Sequence, residues 1–287
     1  MRIFFIKILH RYLNDDRITW ELKIQIGIRS IGRVKMENEC FNKDFEIHYY
    51  EINRFQEASP VSIMNYLQEA AIAHSESVGC GVKRLLEQQR AWVLVRWNLK
   101  AERYPMWGEK INVKTWPSRF EKCFATREFV ITDEKDNEIM YATSSWVFLD
   151  TEKRKPVKVP EELANSYGVR RDRSMEDVFK EEYCLEKKDF FKQFSVRKSE
   201  IDTNEHVNNV NYLAWILETL PIDLYNNYLL KFIDIRYKKE LLLDDNLTCF
   251  TQIASKEENG YTGIHLIASP EGDIEFAKAK TVWLKDK

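Results

Sequence analysis

The sequence predicts an α+β fold in which two antiparallel sheets each wrap around a long central helix. Three observations predict it. The composition favours regular elements, strands above all, with 16 Phe, 13 Tyr and 8 Trp against only 9 Gly and 7 Pro. Apolar residues pass from alternating to helical spacing and back again, and do so twice. The second half of the chain also restates the first.

The elements follow in order. Residues 1–35 open with MRIFFIKILHRYL, where His10 and Arg11 interrupt the apolar run and no small-residue cleavage site follows. They read as an N-terminal extension outside the fold, as an over-long start assignment would produce. Strand pattern begins after Met36, and residues 36–155 form the first half. FEIHYYEI precedes a helical segment in which Ile63, Leu67, Ala70, Ala71 and His74 share one stripe. The strands AWVLVRWNLKAERY, KINVKTWPS and ATREFVITDEKDNEIMYATSSWVFLD follow, the last bent by the polar turn DEKDNE. Residues 156–188 are densely charged and read as a partly helical surface linker. Residues 189–287 repeat the plan: FSVRKSEI, a helix with Val210, Leu213, Ala214 and Leu217 on one stripe, then LKFIDIRYKKELLL, NLTCFTQIAS and YTGIHLIASPEGDIEFAKAKTVWLKD. VSIMNYL at 61–67 matches VNNVNYL at 207–213, and YATSSWVFL answers FAKAKTVWL.

A net charge of −2 gives no support to a nucleic-acid binder. Cys40, Cys80, Cys123, Cys184 and Cys249 are scattered without metal-ligand spacing, which points to a reducing, cytoplasmic setting and to no metal or cofactor. No apolar run is long enough to span a bilayer.

The stretch IDTNEHVNN at 201–209 is the densest polar segment between two apolar patterns. Extended backbone would project Asp202, Asn204 and His206 to one side. Matching the two NYL segments sets these residues opposite Gln56, Ala58 and Pro60. One half alone then holds a carboxylate, an amide and an imidazole, as expected of a single active site in a duplicated fold. The plainer reading is a helix cap, which both halves would need.

From Asp202 to Glu218 the pattern D-x-N-x-H-V-N-N-x-x-Y-x-x-W-x-x-E resembles the signature of acyl-acyl carrier protein (acyl-ACP) thioesterases. The resemblance extends over roughly Phe45 to Trp283 and includes the W-V-F-L-D ending at Asp150. It implies a tandem "double hot dog" fold and the release of free fatty acids from acyl carrier protein during fatty acid biosynthesis. It assigns catalysis to Asp202, Asn204 and His206. It adds Glu240, because Tyr237, Lys238, Lys239 and Glu240 stand where the family has Y-R-R-E. Leu241 replaces the Cys that follows in many relatives, which favours attack by water over a cysteine acyl-enzyme. Glu240 or Asp202 is the candidate general base, His206 positions water or protonates the leaving thiolate, and Asn204 with the helix N–H groups holds the carbonyl oxygen.

In that family the first half supplies the acyl tunnel. Met64, Leu67, Ala71, Trp92, Val95, Trp97 and Trp146 are lining candidates, each equally explained as core. An acidic carrier protein would dock on a basic patch, either Arg119, Lys122 and Arg127 or Arg170, Arg171 and Arg173. A homodimer is compatible with this reading. The alternatives are an acyl-coenzyme A thioesterase and a non-catalytic module of the same fold that binds acyl chains or carrier protein.

Overall fold

The computed structural model describes residues 40–177 and 182–285. The proposed extension, residues 1–35, lies outside the described residues. The elements are β1 (Phe41–Glu46), α1 (Pro60–Ser77), α2 (Val82–Glu87), β2 (Arg90–Ala101), β3 (Lys110–Glu121), β4 (Phe124–Asp133), β5 (Glu138–Asp150), β6 (Lys155–Pro156), α3 (Glu161–Tyr167), β7 (Phe190–Ser195), α4 (Val210–Thr219), α5 (Ile222–Asn227), β8 (Tyr228–Tyr237), β9 (Asn246–Glu257), β10 (Gly260–Ala268) and β11 (Glu275–Lys285). A single 3-10 turn precedes each central helix, at Tyr49–Glu51 and Lys198–Glu200.

The α+β class holds, and the two sheets are fused edge to edge. The strand order is β1-β3-β4-β5-β2-β8-β11-β10-β9-β7, with β6 beside β5. The order reads the same from either end once β1 is equated with β7 and β2 with β8, so a pseudo-twofold axis passes between β2 and β8. These two strands pair antiparallel from Arg96↔Arg236 to Lys100↔Phe232. Inward-facing residues of both halves, including Leu67, Trp97 and Phe129 with Leu213, Ile233 and Trp283, form one continuous apolar core around α1 and α4.

α1 begins at Ser59, whose side chain accepts the Ser62 N–H, and has Pro60 in its first turn. α4 is shorter. Leu220 precedes Pro221, and the proline ring disfavours helical backbone at the residue before it, so Leu220 turns extended at ψ 140° and the helix stops.

The register of the repeat differs from the one that the NYL match suggests. The isolated bridges Ile52↔Ala58 and Ile201↔Val207 are equivalent. Glu51 C=O accepts from Ser59 N–H and Ser62 Oγ, as Glu200 C=O accepts from Asn208 N–H and Asn211 Nδ2. Ile63 therefore answers Tyr212, and Leu67 answers Ile216, one helical turn away from the NYL alignment. The last strands shift as well: Trp146 Nε1 donates to Ser144 Oγ as Trp283 Nε1 donates to Thr281 Oγ1, which makes Trp146 the partner of Trp283.

The segment after α3 crosses the outer face of the sheet. Trp116 Nε1 donates to Asp172 C=O, Ser174 Oγ to Ala142 C=O, and Tyr183 Oη to Asp234 C=O. It covers a charged cluster at the junction of the halves, where Arg96 lies between Asp177 and the fully buried Asp234.

Candidate active site

Residues 201–207 form a closed turn, so the extended projection expected of Asp202, Asn204 and His206 is corrected. Ile201 and Val207 bridge at its neck. Inside it, Asp202 N–H donates to His206 C=O, Glu205 N–H donates to Asp202 C=O, and Glu205 takes φ 62°. Asp202 Oδ1 accepts the N–H groups of Asn204 at 2.8 Å and His206 at 3.4 Å. A short polar side chain that accepts from the backbone two residues on is what makes Asp and Asn turn formers.

The first half builds the same turn. Asn53 Oδ1 accepts from Phe55 N–H at 2.8 Å and Glu57 N–H at 3.2 Å, and Gln56 takes φ 65°. Asp202, Asn204 and His206 thus stand opposite Asn53, Phe55 and Glu57, and not opposite Gln56, Ala58 and Pro60. The asymmetry between the halves survives in corrected form: a carboxylate, an amide and an imidazole face an amide, a phenyl ring and a carboxylate.

Glu240 reaches this turn from the end of β8. That strand stops at Tyr237, and the N–H groups of Lys238 and Lys239 both donate to Phe276 C=O. This irregularity breaks the side-chain alternation, so Glu240 is not grouped with Asp234 and Arg236, which lie on the outer face beneath the crossing segment. Val207 N–H donates to Leu241 C=O, Tyr237 Oη to Asn209 C=O, and Tyr212 Oη to Lys239 C=O. These bonds hold the Glu240 segment against the start of α4. His206 Nε2 and Glu240 Oε2 are then 3.4 Å apart, with both side chains partly open to solvent. Asn204 is exposed on the same turn.

At the start of α4, Asn208 Oδ1 accepts Val210 N–H and Asn208 C=O accepts Asn211 N–H. The first N–H groups of the helix are therefore occupied by Asn208, and Asn204 is the more available donor. Leu241 is fully buried in the core, an apolar side chain that contributes no nucleophile.

Among the lining candidates, Met64, Leu67, Ala71 and Trp97 are buried between α1 and the sheet, and Trp146 packs against the same core. Trp92 belongs to a separate cluster with Leu85, Phe148 and Val159. Val95 is the extra residue of a bulge in β2, since Leu94 pairs with Trp146 and Arg96 with Ser145. Among the basic candidates for docking, Arg127 is removed: it is buried, with Nη1 2.9 Å from His74 Nδ1, and burial lowers its pKa to about 10. His74, buried beside it, is lowered to about 3 by desolvation and then by the Arg127 charge.

One residue of the site carries no sequence signal. Arg154, on the β5–β6 turn of the first half, places Nη2 3.6 Å from Glu240 Oε1. It belongs to no motif, and only the pairing of the strands brings it there.

Comparison with known proteins gives a consistent picture. Residues 38–167 match the acyl-ACP thioesterase N-terminal domain, and residues 183–285 match the acyl-ACP thioesterase C-terminal domain. A dodecanoyl-[acyl-carrier-protein] hydrolase, chloroplastic, of Cinnamomum camphora is 32% identical over 257 residues, which cover 85% of this chain and 67% of that protein. A palmitoyl-acyl carrier protein thioesterase, chloroplastic, of Gossypium hirsutum is 29% identical over 279 residues, covering 88% and 66%. The chain thus spans about two thirds of the length of these relatives. In structure it is similar to the 12:0-ACP thioesterase from Umbellularia californica, with TM-score 0.78 and 27% identity over 86% of this chain and 94% of the other. A putative oleoyl thioesterase from Lactobacillus plantarum, at TM-score 0.80 and 24% identity over 88% and 98%, shares the fold.

Proposed function

The chain belongs to the acyl-ACP thioesterase family and has its double hot dog fold, and from that premise we propose that it hydrolyses acyl-ACP thioesters to free fatty acids in fatty acid biosynthesis. The observation that carries this reading is the approach of His206 to Glu240 at the mouth of the Asp202 turn, 3.4 Å apart and open to solvent. No helix among the described residues is long and apolar enough to cross a membrane. The free cysteines suit a reducing compartment, for which we propose the cytoplasm.

Glu240 is the general base in this proposal. Asp202 Oδ1 is already engaged by two backbone N–H groups, whereas Glu240 offers its carboxylate to solvent beside the imidazole. Glu240 takes a proton from water, and the hydroxide attacks the thioester carbonyl carbon. Asn204 Nδ2 donates to the oxygen as it gains negative charge. The tetrahedral intermediate then collapses, the carbon–sulfur bond breaks, and the proton held by Glu240 passes through His206 Nε2 to the departing thiolate, which restores both groups. Asp202 holds the turn and contributes negative charge beside His206. Met64, Leu67, Ala71, Trp97 and Trp146, which share one core around α1, take the acyl chain within the first half.

Fatty-acid release from a panel of acyl-ACP thioesters with matched coenzyme A esters tests the reading. Asp202→Asn, His206→Ala and Glu240→Gln should each lower turnover by on the order of 10² or more with the fold intact. Near-wild-type turnover in two of the three would overturn the site. No release from any ester would leave a binding module.

A further inference from the structure

Arg154 occupies a backbone position that an arginine adopts at a cost. Its φ is 50°, left-handed, where a β-carbon is strained and glycine is not. The turn that holds it is firmly braced. Asp150, nearly buried, accepts Lys153 N–H at 2.8 Å and Arg90 Nη1 at 2.9 Å, and Thr151 N–H donates to Gln89 C=O. On the far side of the turn, Val157 N–H donates to Phe148 C=O. A rigid turn thus aims one long cationic side chain out of the first half and into the site carried by the second.

Its target is the carboxylate to which the mechanism assigns the proton. Arg154 Nη2 lies 3.6 Å from Glu240 Oε1, while His206 Nε2 lies 3.4 Å from Oε2. The two oxygens of Glu240 therefore face two different groups, one from each half. A partly exposed glutamate has three rotatable bonds and would otherwise sample several rotamers. We propose that Arg154 is a positioning residue, supplied by the first half, that holds Glu240 Oε1 so that Oε2 faces His206 and the attacking water. The active site of this single chain is then built by both halves.

The inference rests on the assignment of Glu240 as base, and the experiment separates the two. Steady-state kinetics on an acyl-ACP thioester would compare wild type, Arg154→Ala, Arg154→Lys, Glu240→Gln and the Arg154→Ala/Glu240→Gln double variant. Arg154→Ala should lower kcat about tenfold and leave KM within about twofold, because orientation of the base is lost while substrate binding is not. Arg154→Lys should recover part of kcat, and millimolar guanidinium should partly rescue Arg154→Ala. In the Glu240→Gln background, Arg154→Ala should cost nothing further, since a positioning residue has no effect once its client is gone. A kcat for Arg154→Ala within about twofold of wild type, or the same tenfold loss in the Glu240→Gln background, overturns the proposal. Wild-type turnover by Glu240→Gln overturns the site assignment itself.

Discussion

At the scale of single residues, the duplicated turn separates geometry from charge at Asp202. Asn53 makes the same pair of backbone contacts in the first half that Asp202 makes in the second. An amide oxygen therefore suffices to fold this turn. Asp202→Asn should keep the denaturation midpoint of the wild type, while Asp202→Ala, which leaves two N–H groups without their acceptor, should lose on the order of 1 kcal/mol. If Asp202→Asn is as stable as wild type and still slow, its charge matters to turnover. If Asp202→Asn is instead as unstable as Asp202→Ala, the equivalence of the two turns is wrong. Chemical denaturation of the three proteins beside their kcat values checks this.

At the scale of elements, the sequence made the plan of each half legible and misplaced its register. Alternation and helical spacing locate α1, α4 and the strand meanders because burial against one core imposes those periods. The NYL match slips by one helical turn because residues a turn apart share a helix face, so a chance identity fits nearly as well as the true alignment. Only backbone bonds such as Ser59 to Glu51 and Asn208 to Glu200 decide it. Glu240 was legible through family resemblance alone, since a sequence does not announce where β8 stops alternating. Arg154 was not legible, because its role depends on which strands pair. Two buried histidines, His74 on α1 and His265 on β10, predict acid sensitivity. His265 on β10, bonded to Thr251 Oγ1 and Thr281 Oγ1, is lowered to about 3 by burial, and His74 is lowered to about 3 as well. The unfolded chain takes up these protons near pH 6.5 and the folded chain only near pH 3. Their contribution is complete above about pH 6.5 and is lost as pH falls towards 3. Between pH 6.5 and 5 each should remove about 2 kcal/mol, from 1.36 kcal/mol per pH unit. His265→Gln should show a smaller fall in denaturation midpoint between pH 7 and 5 than wild type. An equal fall would show that His265 protonates without unfolding.

At the scale of the whole molecule, the junction between the halves decides whether they act as one body. The β2–β8 pairing continues the sheet, and the core continues beneath it. Above it, Arg96 donates to Asp234 through Nε and Nη2 and to Asp177 through Nη1 and Nη2. Burial opposes the Arg96 charge, but Asp234 and Asp177 together outweigh it and raise its pKa above the usual arginine value. Asp234 is fully buried and is shared with Arg236 Nε. Arg96→Met would leave that carboxylate with one cation where it had two. Breaking a buried pair from one side typically costs about 3–5 kcal/mol, and Arg236 should hold the loss near the lower figure. Because the cluster, the sheet and the core all cross the junction, the loss should fall on both halves at once. Calorimetry of Arg96→Met should show one transition at lower temperature, with kcat per folded molecule unchanged. Two separate transitions would mean that the halves fold independently, and the case for an active site assembled from both, with Arg154 reaching Glu240 across the junction, would weaken with them.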